Sequence, residues 1–157
     1  MPKLKVPLII VVVLILITLL CLPRIYLYKG QQEKIIYSRF MFPGQMFVFK
    51  YNHSVQKTPV YEYYTVDWRG KIIMNKTRFK SYGAGLPLQT KNFSIEEENN
   101  FFKIDDMNII LPKVIFRISK TPGQTLKIVN KNISMNDQGK VGSKLTVRVK
   151  PFYKDIF

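Results

Sequence analysis

The sequence predicts an all-β fold, a small sandwich or barrel-like domain, placed after one apolar helix near its start. Three observations predict it. Residues Val6 to Leu22 form a nearly unbroken apolar run closed by Pro23 and Arg24. Beyond Pro23 no helical stripe of convincing length occurs. Short segments rich in Ile, Val, Tyr and Phe recur there instead, between Gly, Pro and Asn turn signals. A chain of 157 residues, 46% hydrophobic and 13% aromatic, is long enough for one packed domain and argues against disorder.

The apolar run of 17 residues lies at the short end of the transmembrane range, and Leu4 and the aliphatic stem of Lys5 extend it. Its end, Thr18 to Leu22, lacks a small-x-small cleavage site, so it reads as an uncleaved signal anchor. Lipidation at Cys21 is the alternative, and the bulky Leu20 before it speaks against that. Lys3 and Lys5 on one side are answered by Arg24 and Lys29 on the other, so charge bias leaves the topology open. The usual arrangement for such an anchor puts the rest of the chain outside, and Tyr26 and Tyr28 suit the far interface. The expectation is a single-pass protein of the cell membrane, with residues 1–23 as anchor and 24–157 as an extracytoplasmic β-rich domain.

Candidate strands run from Ile25 to Lys29, Lys34 to Phe40, Met46 to Asn52, Val60 to Trp68, Lys71 to Phe79, Lys113 to Ser119, Leu126 to Asn130 and Leu145 to Lys150. Turns fit between them at FPGQ (42–45), RG (69–70), TPGQ (121–124) and NDQGK (136–140). One short helix is expected in SIEEENN (94–100), where Ser94 and Glu97 have capping-box spacing. Four N-x-S/T matches, at Asn52, Asn75, Asn92 and Asn132, read as composition in an Asn-rich chain.

Charge is lopsided, with 25 Lys and Arg against 10 Asp and Glu, a net +15. Without Lys3 and Lys5, the region from Arg24 onward keeps 23 basic against 10 acidic residues, a net +13. Such a surface favours polyanions: nucleic acid, anionic lipid headgroups or acidic wall polymers. Facing outward, the domain does not meet cellular DNA, so no nucleic acid partner is expected. An AT-rich coding bias explains the same composition without a dedicated basic site.

The only histidine, His53, stands in YNHSVQKTPVYEYY (51–64). Phe47, Phe49 and Tyr51 alternate with Val48, Lys50 and Asn52, so the aromatic face continues to His53 and Ser54 points the other way. In the next strand Val60, Glu62, Tyr64, Val66 and Trp68 share a face. A four-residue loop, Gln56 to Pro59, sets Phe47 against Trp68, Phe49 against Val66, Tyr51 against Tyr64 and His53 against Glu62. His53 and Glu62 are then close enough to pair, either as a structural buried pair or as a polar recognition point. Neighbours on one strand face opposite ways, so a Ser54–His53 catalytic couple is not expected. With one His and one Cys, no metal site is expected either, nor any cofactor. A second polar point is SYGAGLP (81–87), where Gly83 and Gly85 permit positive φ or close backbone approach.

HSVQKTPVYE (53–62) followed by YGAGLP (82–87) resembles the bacterial family catalogued as domain of unknown function 1850. His53, Ser54, Thr58, Pro59, Glu62, Tyr82, Gly83, Ala84 and Gly85 carry the match. The resemblance covers Gln45 to Pro87 firmly and extends loosely to Arg148. It implies a non-enzymatic accessory role at a tripartite ATP-independent periplasmic (TRAP) transporter of the TAXI type, whose permease or solute receptor would be the partner. It assigns no role to any residue. The competing expectation is a basic cell-surface domain that holds anionic lipid or wall polymer.

Overall fold

The computed structural model describes residues 5–80 and 94–155. One helix, α1 (Lys5–Cys21), is followed by twelve strands: β1 (Pro23–Lys29), β2 (Lys34–Phe40), β3 (Met46–Asn52), β4 (Pro59–Val66), β5 (Ile72–Phe79), β6 (Glu96–Glu98), β7 (Phe101–Ile104), β8 (Ile109–Leu111), β9 (Val114–Arg117), β10 (Thr125–Ile128), β11 (Lys131–Ser134) and β12 (Lys144–Pro151). They make two sheets, one of four strands in the order β2-β1-β12-β9 and one of eight in the order β11-β10-β3-β4-β5-β7-β6, with β8 also paired to β5. The expected turn at 136–140 contains a 3-10 turn, Asn136–Gln138.

Alternation along the strands explains why the sheets close face to face. Ile25 and Leu27 of β1, Phe116 of β9 and Leu145 and Val147 of β12 share one core cluster with Phe47 and Phe49 of β3, Tyr64 of β4 and Leu126 of β10. The Phe49 and Phe116 rings lie 3.9 Å apart and join the sheets. A smaller cluster of Val60, Phe79, Ile104 and Met107 sits under β4, β5 and β7, and Tyr51 and Met74 pack against both clusters. The architecture is therefore a β-sandwich.

Three expectations need correction. No helix forms at 94–100: β6 and β7 make a hairpin, with Glu98 opposite Phe101. Asn99 and Asn100 take φ of 53° and 61°, the left-handed pair that a two-residue hairpin turn requires and that Asn tolerates. Phe102 packs against the smaller core cluster, a stronger pull than a capping box. Trp68 is not in a strand. The Asp67 Oδ1 accepts the backbone N–H of Arg69 at 2.9 Å and of Lys71 at 2.7 Å, ending β4 early and leaving Trp68 68% exposed. The hairpin register also differs, as described below.

The helix α1 has 17 residues and rises about 25 Å, against about 30 Å of bilayer hydrocarbon. Among the described residues no helix is long and apolar enough to cross a membrane. From Leu8 to Ile17 each side chain of α1 is exposed and apolar, so the helix is apolar all round and uncovered by the sandwich. Its end is tied to the domain, since Phe152 N–H donates to the Leu22 carbonyl at 3.1 Å.

Candidate functional site: the β3–β4 hairpin and its two faces

In the observed hairpin Phe47 pairs with Tyr64, Phe49 with Glu62, Tyr51 with Val60 and Asn52 with Pro59. The loop therefore spans six residues, His53 to Thr58, rather than four. The shift moves each partner by an even number of positions, so the apolar faces still coincide while His53 and Glu62 are not opposed. Thr58 and His53 close the loop, with His53 N–H donating to the Thr58 carbonyl at 2.8 Å and Lys57 N–H to the His53 carbonyl at 2.9 Å. Inside it, His53 Nδ1 accepts the backbone N–H of Val55 at 3.3 Å and of Gln56 at 3.2 Å. The imidazole is buried and organises the loop much as an Asx side chain organises a turn.

Ser54 is exposed, and its carbonyl accepts Lys57 Nζ at 2.6 Å. Pro59 opens β4, where the lack of an N–H is tolerated. Tyr82, Gly83, Ala84 and Gly85 lie outside the described residues. The chain enters that segment from Phe79, which pairs with Val60 beside the His53 loop. Among the described residues no three of His, Cys, Asp and Glu gather as a metal-binding group.

Glu62 finds other partners. Tyr51 OH donates to its Oε1 at 3.1 Å and Tyr64 OH to its Oε2 at 2.6 Å. The carboxyl thus sits on the inward face where the two core clusters meet. Burial raises its pKa above the ordinary 4.5, partly offset by the two tyrosine hydrogen bonds. Both hydroxyls are pushed up in turn, first by burial and then by the Glu62 charge.

A carboxyl with a raised folded pKa keeps its proton in the folded state after the unfolded chain has lost it. Its contribution is full below about pH 4.5 and falls as pH rises through the folded value. Glu33 acts oppositely: Arg148 hydrogen bonds hold it below its usual range, so its contribution is lost on acidification. Comparing Glu62→Gln with the wild type isolates the first effect. Urea midpoints of the two proteins should converge below about pH 4.5 and separate as the pH rises above it, with the glutamine variant more stable. Parallel midpoints across that range would contradict a buried, proton-holding Glu62.

The outer face of the same hairpin is basic and aromatic. Tyr61 and Tyr63 project outward from β4, Val48 and Lys50 from β3 and Lys127 from β10, and with Asn132 they line a cleft of about 440 Å³. A second depression of about 390 Å³ continues it past Val48, Tyr63 and Lys127 to Val129. Each outer ring carries a cation: Lys50 lies 5.7 Å from Tyr61, Lys76 5.5 Å from Tyr63, and Arg78 and Lys80 5.1 and 5.4 Å from Phe101. Acids collect at one edge, where Asp105 pairs with Lys103 at 2.7 Å and Lys76 at 3.4 Å, and Glu96 with Lys103 at 3.5 Å. Among the described residues neither Lys50 nor Lys127 has a carboxylate partner. The sequence carried a signal for this face, because Tyr61 and Tyr63 occupy the nominally polar positions of β4.

A family profile described as Domain of unknown function (DUF1850) matches residues 47–135, more than half of the chain. The chain belongs to the DUF1850 family. No curated protein and no solved structure matches it. The DUF1850 segment runs from β3 through β11 and so supplies every strand of the large sheet, together with β9 of the small one. It includes the His53 loop, Glu62 with both tyrosines and the basic cleft; α1, β1, β2 and β12 lie outside it.

Proposed function

We propose that this protein is a membrane-anchored, extracytoplasmic, non-catalytic domain that holds an anionic partner on the outer face of its large sheet. The observation that carries the reading is the cleft in which Lys50 and Lys127, without carboxylate partners among the described residues, flank Tyr61 and Tyr63. Cations above aromatic faces offer a ligand both charge and a stacking surface. The fitting partners are anionic lipid headgroups or an acidic wall polymer. Anchoring rests on α1, whose apolar side chains from Leu8 to Ile17 are exposed among the described residues, and a segment somewhat short for the bilayer is accommodated by local thinning.

The test uses the full-length protein in neutral detergent micelles and a fluorescent polyuronate. Binding should weaken steeply with added salt, because the screening length falls from about 10 Å at 0.1 M to about 3 Å at 1 M. Binding that is absent at low salt, or indifferent to salt, would remove the reading.

A second reading is an accessory role at a TAXI-type TRAP transporter, contacting its permease or solute receptor. Membership of the DUF1850 family favours it, together with the His53 loop, which internal hydrogen bonds hold in one shape at the end of the sandwich away from α1. On this reading, alanine at His53 lowers solute uptake without unfolding the domain, and salt affects docking little. Unchanged uptake by a folded variant would discard it.

A further inference from the structure

The four exposed aromatic side chains among the described residues are Phe40, Phe42, Trp68 and Tyr153. All four stand at the end of the sandwich from which α1 emerges. Phe40 closes β2 opposite Arg24, and its ring meets Phe152 edge-on at 5.2 Å. Met41 N–H donates to the Pro23 carbonyl at 2.9 Å, which places Phe42 beside the start of β1. The β4–β5 turn carrying Trp68 lies against the end of β12: a Cβ on Gly70 would stand 3.6 Å from Pro151 and Val149 side-chain atoms. Tyr153 follows in the 3-10 turn Phe152–Asp155, which packs on α1.

Cations share this end. The Arg24 guanidinium lies 5.2 Å from the Phe40 ring and 5.6 Å from those of Tyr26 and Phe152, while Nη2 donates to Ser38 Oγ at 2.8 Å. Its Nε is buried without a hydrogen-bond partner among the described residues. Arg69 lies 4.6 Å from the Trp68 ring and Lys150 4.9 Å from that of Tyr26. Lys71 and Lys154 are nearby in sequence; of the two carboxylates in these turns, Asp67 is engaged by backbone N–H groups and Asp155 closes the 3-10 turn next to Lys154.

We propose that this end is a membrane-docking collar, which seats the domain directly on the bilayer that takes α1 instead of leaving it on a free tether. Phe40, Phe42, Trp68 and Tyr153 enter the headgroup region, where amphipathic and aromatic rings are favoured. Arg24, Arg69, Lys150 and Lys154 meet the phosphates of anionic phospholipids. The collar accounts for a helix of only 17 residues, since interfacial side chains on the attached domain draw a thinned bilayer toward it. Seating also fixes the direction in which the outer face of the large sheet looks, along the membrane rather than into it. The inference rests on the reading of α1 as an anchor.

Trp68 is the only tryptophan in the chain, so it reports on the collar without any substitution. Full-length protein is reconstituted in vesicles of equal parts phosphatidylcholine and phosphatidylglycerol, with bromine on the upper acyl chain. The collar predicts blue-shifted Trp68 emission, quenched roughly twofold or more by the brominated lipid and shielded from aqueous acrylamide. Pure phosphatidylcholine vesicles should reduce the quenching, and so should Arg69→Glu with Lys154→Glu. An alkaline carbonate wash tests anchoring separately. Protein that washes off overturns the anchor and the collar with it. Protein that stays while Trp68 emits as in water overturns the collar alone. Quenching that ignores lipid charge overturns the phosphate contacts.

Discussion

Replacing Phe49 with alanine is expected to destabilise the domain by about 3–5 kcal/mol, out of a typical total of about 5–15 kcal/mol. The ring is buried in the centre of β3, stacks on Tyr51 at 5.1 Å and lies 3.9 Å from Phe116 of the opposite sheet. Truncation removes transfer free energy, leaves a cavity between sheets that cannot fully close, and loses two ring contacts. Urea unfolding followed by the near-ultraviolet signal of the aromatic core measures it. Phe49→Leu keeps most of the volume and should cost about a third as much. Equal losses in the two variants would mean that the contact between sheets is not made by this ring.

Reversing charge in the outer cleft should affect binding instead of folding. Lys50→Glu with Lys127→Glu is expected to weaken polyanion binding roughly ten- to hundredfold, because like charges then face the ligand. Lys50 is exposed, and neither lysine is held in an ion pair among the described residues, so the urea midpoint should move little. The readout is a binding isotherm at low salt. A folded double variant that binds as tightly as the wild type would place the anionic ligand elsewhere.

Much of the sandwich was legible in the sequence where strands are long. The seven residues of β2 and of β3 were bounded as the structure has them, and β4, β5 and β12 to within two residues. Their period-two alternation extends over several pairs and resists local noise. The strands β6, β7, β8 and β11 have three or four residues each, too few for a period to show against composition. At 94–100 the local capping signal was real, but the Asn-Asn turn and the burial of Phe102 outweighed it.

The site was legible by face and not by register. His53 and Glu62 both fall on the inward side, as alternation predicts. Which residue opposes which depends on loop length, and loop length here depends on the buried imidazole that gathers Val55 and Gln56 N–H groups. A side chain closing its own loop leaves no mark in a hydrophobic pattern. Glu62 consequently meets Tyr51 and Tyr64, which the sequence presents only as aromatic core residues. The collar was hidden for another reason: its members come from the two chain ends and two turns, and only the sheet order brings them together.

The most direct test of a membrane-anchored domain with a basic binding face is purification of the full-length protein from its native membrane in mild detergent, beside Lys50→Glu with Lys127→Glu. Companions are analysed before and after a high-salt wash. The account predicts that the wild type carries anionic lipid or polymer that leaves with salt, and that the variant carries far less. A permease or solute receptor retained through the wash equally by both proteins would contradict it and move the function to the His53 end of the molecule.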